Sequence, residues 1–483
     1  MKKSKIISGV VGALVLAWAG GAWYTGSLAE KEYLHQIEVG NVKLQQAILG
    51  YPLQIEYKNI SYDRGHFSSD VKDELIIRSN EKTWVIPFSE KIYHGPFPFN
   101  RVKKFNFMPT MLAAEGQLDK NETTQFLFDL TKNERPVTFS GVVSYALNTA
   151  GTIDILGGEY NDNEGALLTW APIKLVFDLN KNSEGSSELL TDKISLNIAA
   201  DRAQDRSPLV LSLNKLKLNA DVKQTQWTSI FAGKTNFNLA SFEIKTETEE
   251  GKPFTFGLNN LASTSVISAE DKFVNQKSDL SVESLNIKGK ALGKLTYAIE
   301  LNHFDGQSLN DLYALISELS GPNRAIAQTK VEQKIQLILL GLVSGQPQIK
   351  IAPLALSDKN GKIQLDLNLA LKSSPKFASN VRSVLKQFNE FSVNIDVNKN
   401  TAAALLNVLT DDDEDMKQIN LREKIEEFAV EGQQQGIVVN NADNMTLNLA
   451  IDPEKVELKL NGNVIPEEKI QAVLFMLAMG VMN

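Results

Sequence analysis

From Pro52 onward the chain alternates apolar and polar residues, and this period of two constrains its fold more than any other feature. Ile363, Leu365, Leu367 and Leu369 alternate with Gln364, Asp366 and Asn368. Phe391, Val393, Ile395 and Val397 alternate with Ser392, Asn394 and Asp396. Leu209, Leu211 and Leu213 do the same until the phase slips at Lys215 and resumes with Leu216 and Leu218. Leu447-Leu449-Ile451 and Val456-Leu458-Leu460 form a pair around Asp452-Pro453-Glu454-Lys455. Successive side chains of a strand point to opposite faces, so such segments build sheets with one apolar and one wet face. A parallel sheet, covered on both faces, would read as continuous apolar runs, so the pattern favours antiparallel pairing.

Helical spacing interrupts the strands at Leu309–Leu319, Ala325–Val343, Asn380–Phe388, Thr401–Leu409, Met416–Phe428 and Glu467–Met482. The expected class is therefore α+β, a large β-rich region of amphipathic antiparallel strands with packed helices. Three segments rhyme: Leu218-Asn219-Ala220-Asp221-Val222, Leu301-Asn302-His303-Phe304-Asp305 and Val393-Asn394-Ile395-Asp396-Val397 each precede a helical pattern, the first centred on Trp227. Strand-plus-helix repeats would stack into an elongated array, although Asn-rich strands also resemble one another by chance. The polar stretch Ala200–Pro208 is where a division of residues 51–483 would fall.

Lys2, Lys3 and Lys5 precede an uncharged stretch from Ile6 to Gly26. About 20 apolar residues at ~1.5 Å each match a ~30 Å hydrocarbon core, so residues 1–27 are expected to form a cytoplasmic tip and a single transmembrane helix. The basic cluster keeps the N-terminus cytoplasmic and sends the rest outward. Trp18, Trp23 and Tyr24 crowd the far end, where amphipathic rings favour the membrane interface. Ala17-Trp18-Ala19 resembles a signal-peptide cleavage site, but the apolar run exceeds the roughly 7–15 residues of a signal core, which favours an uncleaved signal-anchor. Gly9, Ala13, Ala17 and Gly21 recur every four residues, a small-residue stripe that lets two membrane helices pack as a homodimer and that also arises often by chance. Residues 28–50 are expected to be a juxtamembrane helix. Its Leu34, Ile37, Asn41, Leu44 and Ile48 are spaced like a coiled-coil seam with Asn41 setting register. The favoured alternative packs this stripe on the protein's own first sheet.

The net charge is −8, which argues against nucleic acid as a partner, since phosphate binding needs a basic patch. Arg101, Lys103 and Lys104 form a short basic group that reads as a solvated face. The absence of cysteine excludes disulfides, thiolate nucleophiles and Cys-ligated zinc. His35, His66, His94 and His303 lack metal-ligand spacing, and no cofactor is expected. Gly233-Lys234-Thr235 mimics the end of a P-loop, but Thr228 stands where its first Gly belongs. Asp396, Asn398 and Asn400 open like a calcium loop that Thr401 and Asn407 then break. Ser373 and Lys376 match S-x-x-K without its companion motifs. The acidic run Asp411–Asp415 reads as the start of a helix, where carboxylates complement the dipole.

Two stretches carry a resemblance. Tyr62-Asp63-Arg64-Gly65-His66-Phe67-Ser68-Ser69 and His94-Gly95-Pro96-Phe97-Pro98 resemble hallmark segments of the YdgA-like family of bacterial proteins of unknown function. The layout is similar too: a basic start, one apolar span, a helix with Glu30, Glu32 and Tyr33, then a long Leu- and Asn-rich region. The resemblance implies an inner-membrane protein facing the periplasm, and it implies no activity and no catalytic residues. Physically, Arg64-Gly65 suits a tight turn in which Gly supplies a positive φ. Gly95-Pro96-Phe97-Pro98 suits an extended polyproline stretch. Phe97 and Phe99 either plug a core edge or serve as docking anchors.

Two functional readings follow. In the first, a non-enzymatic protein handles lipid or another apolar envelope component on a long sheet whose Leu/Ile/Val face is incompletely covered. In the second, a closed core serves as a scaffold or regulatory partner of inner-membrane machinery. Whether the apolar faces are covered discriminates the two. Pro466 with Glu467 and Glu468 starts a last helix, in which Ile470, Val473, Leu474, Leu477, Ala478 and Val481 recur at helical spacing and Phe475, Met476, Met479 and Met482 make the remaining surface greasy too. It is expected to close a core or to act as a lid.

Overall fold

Alternation becomes antiparallel pairing throughout the computed structural model, which describes residues 2–48, 53–79, 82–132, 134–162, 165–201, 206–248, 251–320, 328–372, 380–410 and 420–470. The chain divides into two units. The first comprises Met1–Ile194, Lys217–Gln224 and Ala314–Ile326; the second comprises Ser195–Leu216, Thr225–Tyr313 and Ala327–Asn483.

The first unit opens with α1 (Lys2–Ala47) and continues with β1 (Leu53–Arg64), β2 (Ser68–Ser79) and β3 (Thr83–His94). After α2 (Phe99–Val102) come β4 (Leu112–Leu118), α3 (Gln125–Leu130), β5 (Val137–Val143) and β6 (Thr149–Ile155). A hairpin of β7 (Gly158–Asn161) and β8 (Ala166–Trp170) precedes β9 (Ile173–Leu179) and β10 (Gly185–Ile198). Neighbours in sequence pair in turn from β1 to β6; β9 then joins β6, and β10 joins β9. α1 lies on β1, β3 and β4. Under it sits a core of Ala29, Val71, Ile92, Met111 and Leu112, with Tyr33 and Tyr62 packed against it.

That docking overturns the expected transmembrane helix. Among the described residues no helix is long and apolar enough to cross a membrane. The physical reason is the fate of the second half of the apolar stretch. Trp18 Nε1 donates to Phe97 O at 3.1 Å and Thr25 Oγ1 to Gly95 O at 2.7 Å, while Ala22 is fully buried. One face of residues 18–26 therefore lies against protein. Ile6–Ala17 alone would reach roughly 18 Å at ~1.5 Å per residue, short of a ~30 Å hydrocarbon core. The single-pass inner-membrane anchor facing the periplasm does not hold, and α1 runs unbroken through residue 27. Of the small-residue stripe, the side chains of Gly9, Ala13 and Ala17 lie outside the described residues. Gly21 faces Pro96, whose Cδ would stand 3.0 Å from an added Cβ. Asn41 binds the first sheet: its Nδ2 donates to Tyr57 O and its Oδ1 accepts from Tyr57 N, both at 2.7 Å.

The remaining strands are β11 (Leu209–Gln224), β12 (Phe231–Glu247), β13 (Pro253–Glu270), β14 (Phe273–Ile287) and β15 (Lys290–Asp305). Then follow α4 (Gly306–Ser320), α5 (Gln328–Ser344), β16 (Gln348–Ser357), β17 (Lys362–Leu371), α6 (Val381–Leu385), β18 (Phe388–Asn398), α7 (Lys399–Leu409) and α8 (Leu421–Gln434). The last strands are β19 (Val439–Asn440), β20 (Asn444–Asp452), β21 (Glu457–Leu460) and β22 (Asn463–Val464). In the second unit β12 to β18 pair in sequence order, β20 joins β18, and β21 joins β20. The result is dominated by antiparallel sheet, where an α+β protein with a membrane helix was expected.

Two of the three rhyming strands do run into helices, β15 into α4 and β18 into α7. The third does not. After β11, Thr225 Oγ1 donates to Ile230 O at 2.6 Å and accepts from Trp227 N at 3.1 Å, which closes a turn and buries Trp227 with Ile230 and Val274. α7 starts at a cap: Asn398 accepts from the backbone N–H groups of Asn400 and Thr401. Lys399 beside it is wholly buried, and its Nζ donates to Glu426 Oε2 at 2.8 Å and to Asn441 O at 2.5 Å. Residues 373–379, 411–419 and 471–483 lie outside the described set, and with them Ser373, Lys376, the acidic run and most of the last helix. Ile470 is buried with Val381, Leu385 and Ile451.

Candidate functional site

The motif residues of the first unit converge on one place, the seat of α1. Arg64 Nη1 pairs with Glu30 at 3.0 Å. Gly65 donates its N–H to Ser68 O at 2.9 Å in the β1–β2 turn. Its φ is not positive, contrary to expectation. Glycine is needed because an added Cβ would meet Ser68 O at 2.7 Å. Phe67 packs on Trp18 with ring centroids 5.2 Å apart. His94 Nε2 and Ser69 Oγ are 2.8 Å apart, both residues buried, and His94 Nδ1 faces His66 O at 3.4 Å. Burial holds the imidazole below its usual pKa. Gly26 of α1 covers it, since an added Cβ would lie 2.4 Å from His94 Nδ1. Gly95 and Pro96 bend the chain over Met111 instead of extending it, and a Cβ on Gly95 would stand 1.8 Å from Thr110 O. The Ser69–His94 pair has a nucleophile's geometry. It is nevertheless sealed from solvent, and its second ring nitrogen faces a carbonyl where a triad needs a carboxylate.

Beside this seat lies an acid pair, Asp73 buried and Glu90 half-buried, that the sequence reading missed. Tyr33 Oη donates to Asp73 Oδ2 at 2.5 Å and lies 3.2 Å from Glu90 Oε1. Tyr57 Oη donates to Glu90 Oε1 at 3.2 Å, and Asn59 Nδ2 to Asp73 Oδ1 at 2.9 Å. Burial, and then the charge of Asp73, push the Glu90 carboxyl up to about 7. Burial, and then the charge of Glu90, push both tyrosine hydroxyls well above their usual value. The readable signal was phase: Asp73 shares a strand face with Val71 and Leu75, and Glu90 with Phe88 and Ile92. A carboxylate on the apolar phase of a strand must find partners or a proton. Among the described residues, no three of His, Asp and Glu converge as metal ligands.

The second unit presents a different kind of surface. Side chains opposite one another in register share a face. One row runs Leu295, Leu356, Ile363, Val397 and Met445. The next runs Leu280, Tyr297, Leu354, Leu365, Ile395 and Leu447. A third runs Ile299, Ile351, Leu367, Val393, Leu449 and Leu460, and a fourth Leu301, Ile349, Leu369 and Phe391. Described helices cover the outer rows. α7 lies on β15, β17 and β18, and with α8 it encloses Met445. α6 encloses Phe391 together with Ile451 and Leu458. The two middle rows lack such a cluster among the described residues. They are half-buried, and Leu354 is 37% exposed.

The middle rows thus floor an apolar trough walled by helices at both strand ends. From β14 to β20 it extends about 24 Å, at ~4.8 Å per strand spacing. The reverse face is wet and self-satisfied: Gln364 donates to Asp366 at 2.8 Å, Asn444 to Asp396 at 2.7 Å and Asn368 to Ser392 Oγ at 3.3 Å.

Comparison with known proteins agrees with the motifs. The family model described as "Bacterial protein of unknown function (DUF945)" matches residues 1–468. An uncharacterized protein of Haemophilus influenzae is 33% identical over 318 residues, 65% of this chain and 86% of its own. Protein YdgA of Escherichia coli is 26% identical over 393 residues, 77% of this chain and 76% of its own. The uncharacterized protein YihF of Escherichia coli is 22% identical over 501 residues, 97% of this chain and 98% of its own. No solved structure matches.

Proposed function

This chain belongs to the DUF945 family of bacterial proteins of unknown function, and we propose that it is a non-enzymatic binder of lipid acyl chains, which lie in the apolar trough of its second unit. One observation carries the reading. The rows Tyr297–Leu447 and Ile299–Leu460 keep an apolar face half-open between helical walls, where an ordinary core would close it. Apolar floors with few polar groups suit ligands that offer area and no hydrogen bonds. A long, narrow floor of Leu and Ile rows suits a linear chain better than a compact ring.

The test is lipid uptake by the full chain. A spin-labelled or fluorescent fatty acid should bind saturably, and mass spectrometry should find co-purified lipid. Leu354→Glu puts a carboxylate on the open floor at a position that already sees solvent. It should weaken binding by about tenfold or more while leaving the melting temperature near that of the parent. A folded parent that takes up no acyl probe would remove the proposal. So would a Leu354→Glu variant that binds as well as the parent.

A further inference from the structure

We infer that residues 99–108 of the first unit form a docking loop for an anionic lipid surface, a contact made by a loop lying on the surface and independent of the trough. The loop turns apolar side chains outward to a degree that a folded monomer rarely shows. Phe105 is 86% exposed, Met108 70%, Phe107 59% and Phe99 44%. It does so in a fixed form. Lys104 N and Asn106 N both donate to Arg101 O, at 2.9 and 3.0 Å, and Phe105 N donates to Val102 O at 3.0 Å. Met108 N donates to Asn106 Oδ1 at 3.1 Å, and Thr110 N returns the chain to Pro96 O at 2.9 Å. Phe105 sits at φ 58°, a left-handed conformation costly for a bulky residue. The turn accepts that strain and holds the ring in solvent.

Charge identifies the occupant. Residues 95–114 contain Arg101, Lys103 and Lys104 and no carboxylate, in a chain whose net charge is −8. Lys103 Nζ lies 4.7 Å above the Phe99 ring, and Lys104 reaches Glu115 at 3.3 Å with its side chain 75% exposed. Aromatic rings among lysines match a headgroup layer: rings settle at the boundary between headgroups and acyl chains, and lysines gain from anionic phosphates. The loop leaves the body beside α1, where Trp18 binds Phe97 O and where Trp23 and Tyr24 are also exposed.

The chain has no cysteine, so one introduced thiol carries the only label. In the full chain, an environment-sensitive fluorophore on Phe107→Cys should shift to the blue with vesicles of phosphatidylcholine plus phosphatidylglycerol. It should respond far less to phosphatidylcholine alone. The same fluorophore on Asn182→Cys should stay unchanged. Lys103→Glu with Lys104→Glu should lower partitioning onto the anionic vesicles by about tenfold or more. Vesicle binding with a silent label at 107 would place the contact elsewhere and overturn the inference. A label that shifts with protein concentration in the absence of vesicles would assign the loop to a second copy, and would overturn it equally.

Discussion

Glu90→Gln should reverse a pH dependence built into the seat of α1. In the folded protein burial, and then the charge of Asp73, push the Glu90 carboxyl up to about 7 from an ordinary value of 4.5. The folded state therefore holds a proton that the unfolded chain releases between those limits. Stability falls as pH rises wherever the unfolded state binds fewer protons. Glu90 thus contributes nothing below about pH 4.5, a growing penalty from there to about 7, and a full penalty above. At ~1.36 kcal/mol for each pH unit between those limits, the penalty is about 3 kcal/mol. Glutamine keeps the acceptor for Tyr57 and cannot ionise. The variant should match the parent at pH 4.5 and exceed it by about 3 kcal/mol at pH 8, roughly 6–12 °C in melting temperature for a unit of this size. Urea unfolding of the full chain at both pH values measures this, with hydrogen exchange of the β2 and β3 amides assigning the transition to the first unit. Equal pH slopes in parent and variant would refute the reasoning, as would a variant less stable than the parent at pH 8.

Two further outcomes follow from the packing. Gly95→Ala places a Cβ 1.8 Å from Thr110 O, backbone that cannot swing aside; a loss of more than about 2 kcal/mol is expected in urea melts, with α1 amides exchanging faster. Lys399→Met takes one of three partners from Glu426, whose carboxyl is held down to about 2 by Asn440, Lys399 and Arg422, and removes the buried donor to Asn441 O; the second unit should lose about 1–3 kcal/mol in the same assay.

Strands were legible because period two is a local signal. The alternation at Ile363–Leu369 lies within β17, and that at Phe391–Val397 within β18. Helix starts were legible where a cap is local too, as at Asn380, which accepts from Ser383 N. The fate of the N-terminal stretch was not legible. Its partners Gly95, Pro96 and Phe97 lie some seventy residues or more away, and Gly, Ala and Trp serve a protein seat as well as they serve lipid. Gly65 sits in the turn that its sequence suits, but the reason glycine is needed there, crowding by Ser68 O, is a distance and not a composition. Asp73 and Glu90 were visible in phase, but their meeting needs the β2–β3 register that sets Val71 against Glu90. The apolar trough was half legible: the rows follow from alternation, whereas which rows the helices leave open depends on packing.

The unbroken length of α1 has a mechanical consequence. A helix of 46 residues is a rod about 69 Å long at ~1.5 Å per residue, and its attachments at Trp18, Thr25, Arg64–Glu30, Tyr33 and Asn41 are spread along it. A pull along the rod axis loads all of these contacts at once, as shear. A sideways pull at the N-terminus loads Trp18 first and peels the others in order. The same seat is therefore strong against tension and weak against torque, and a lever of this kind would deliver any lateral force at its tip directly to the His94 and Glu90 pockets beneath it.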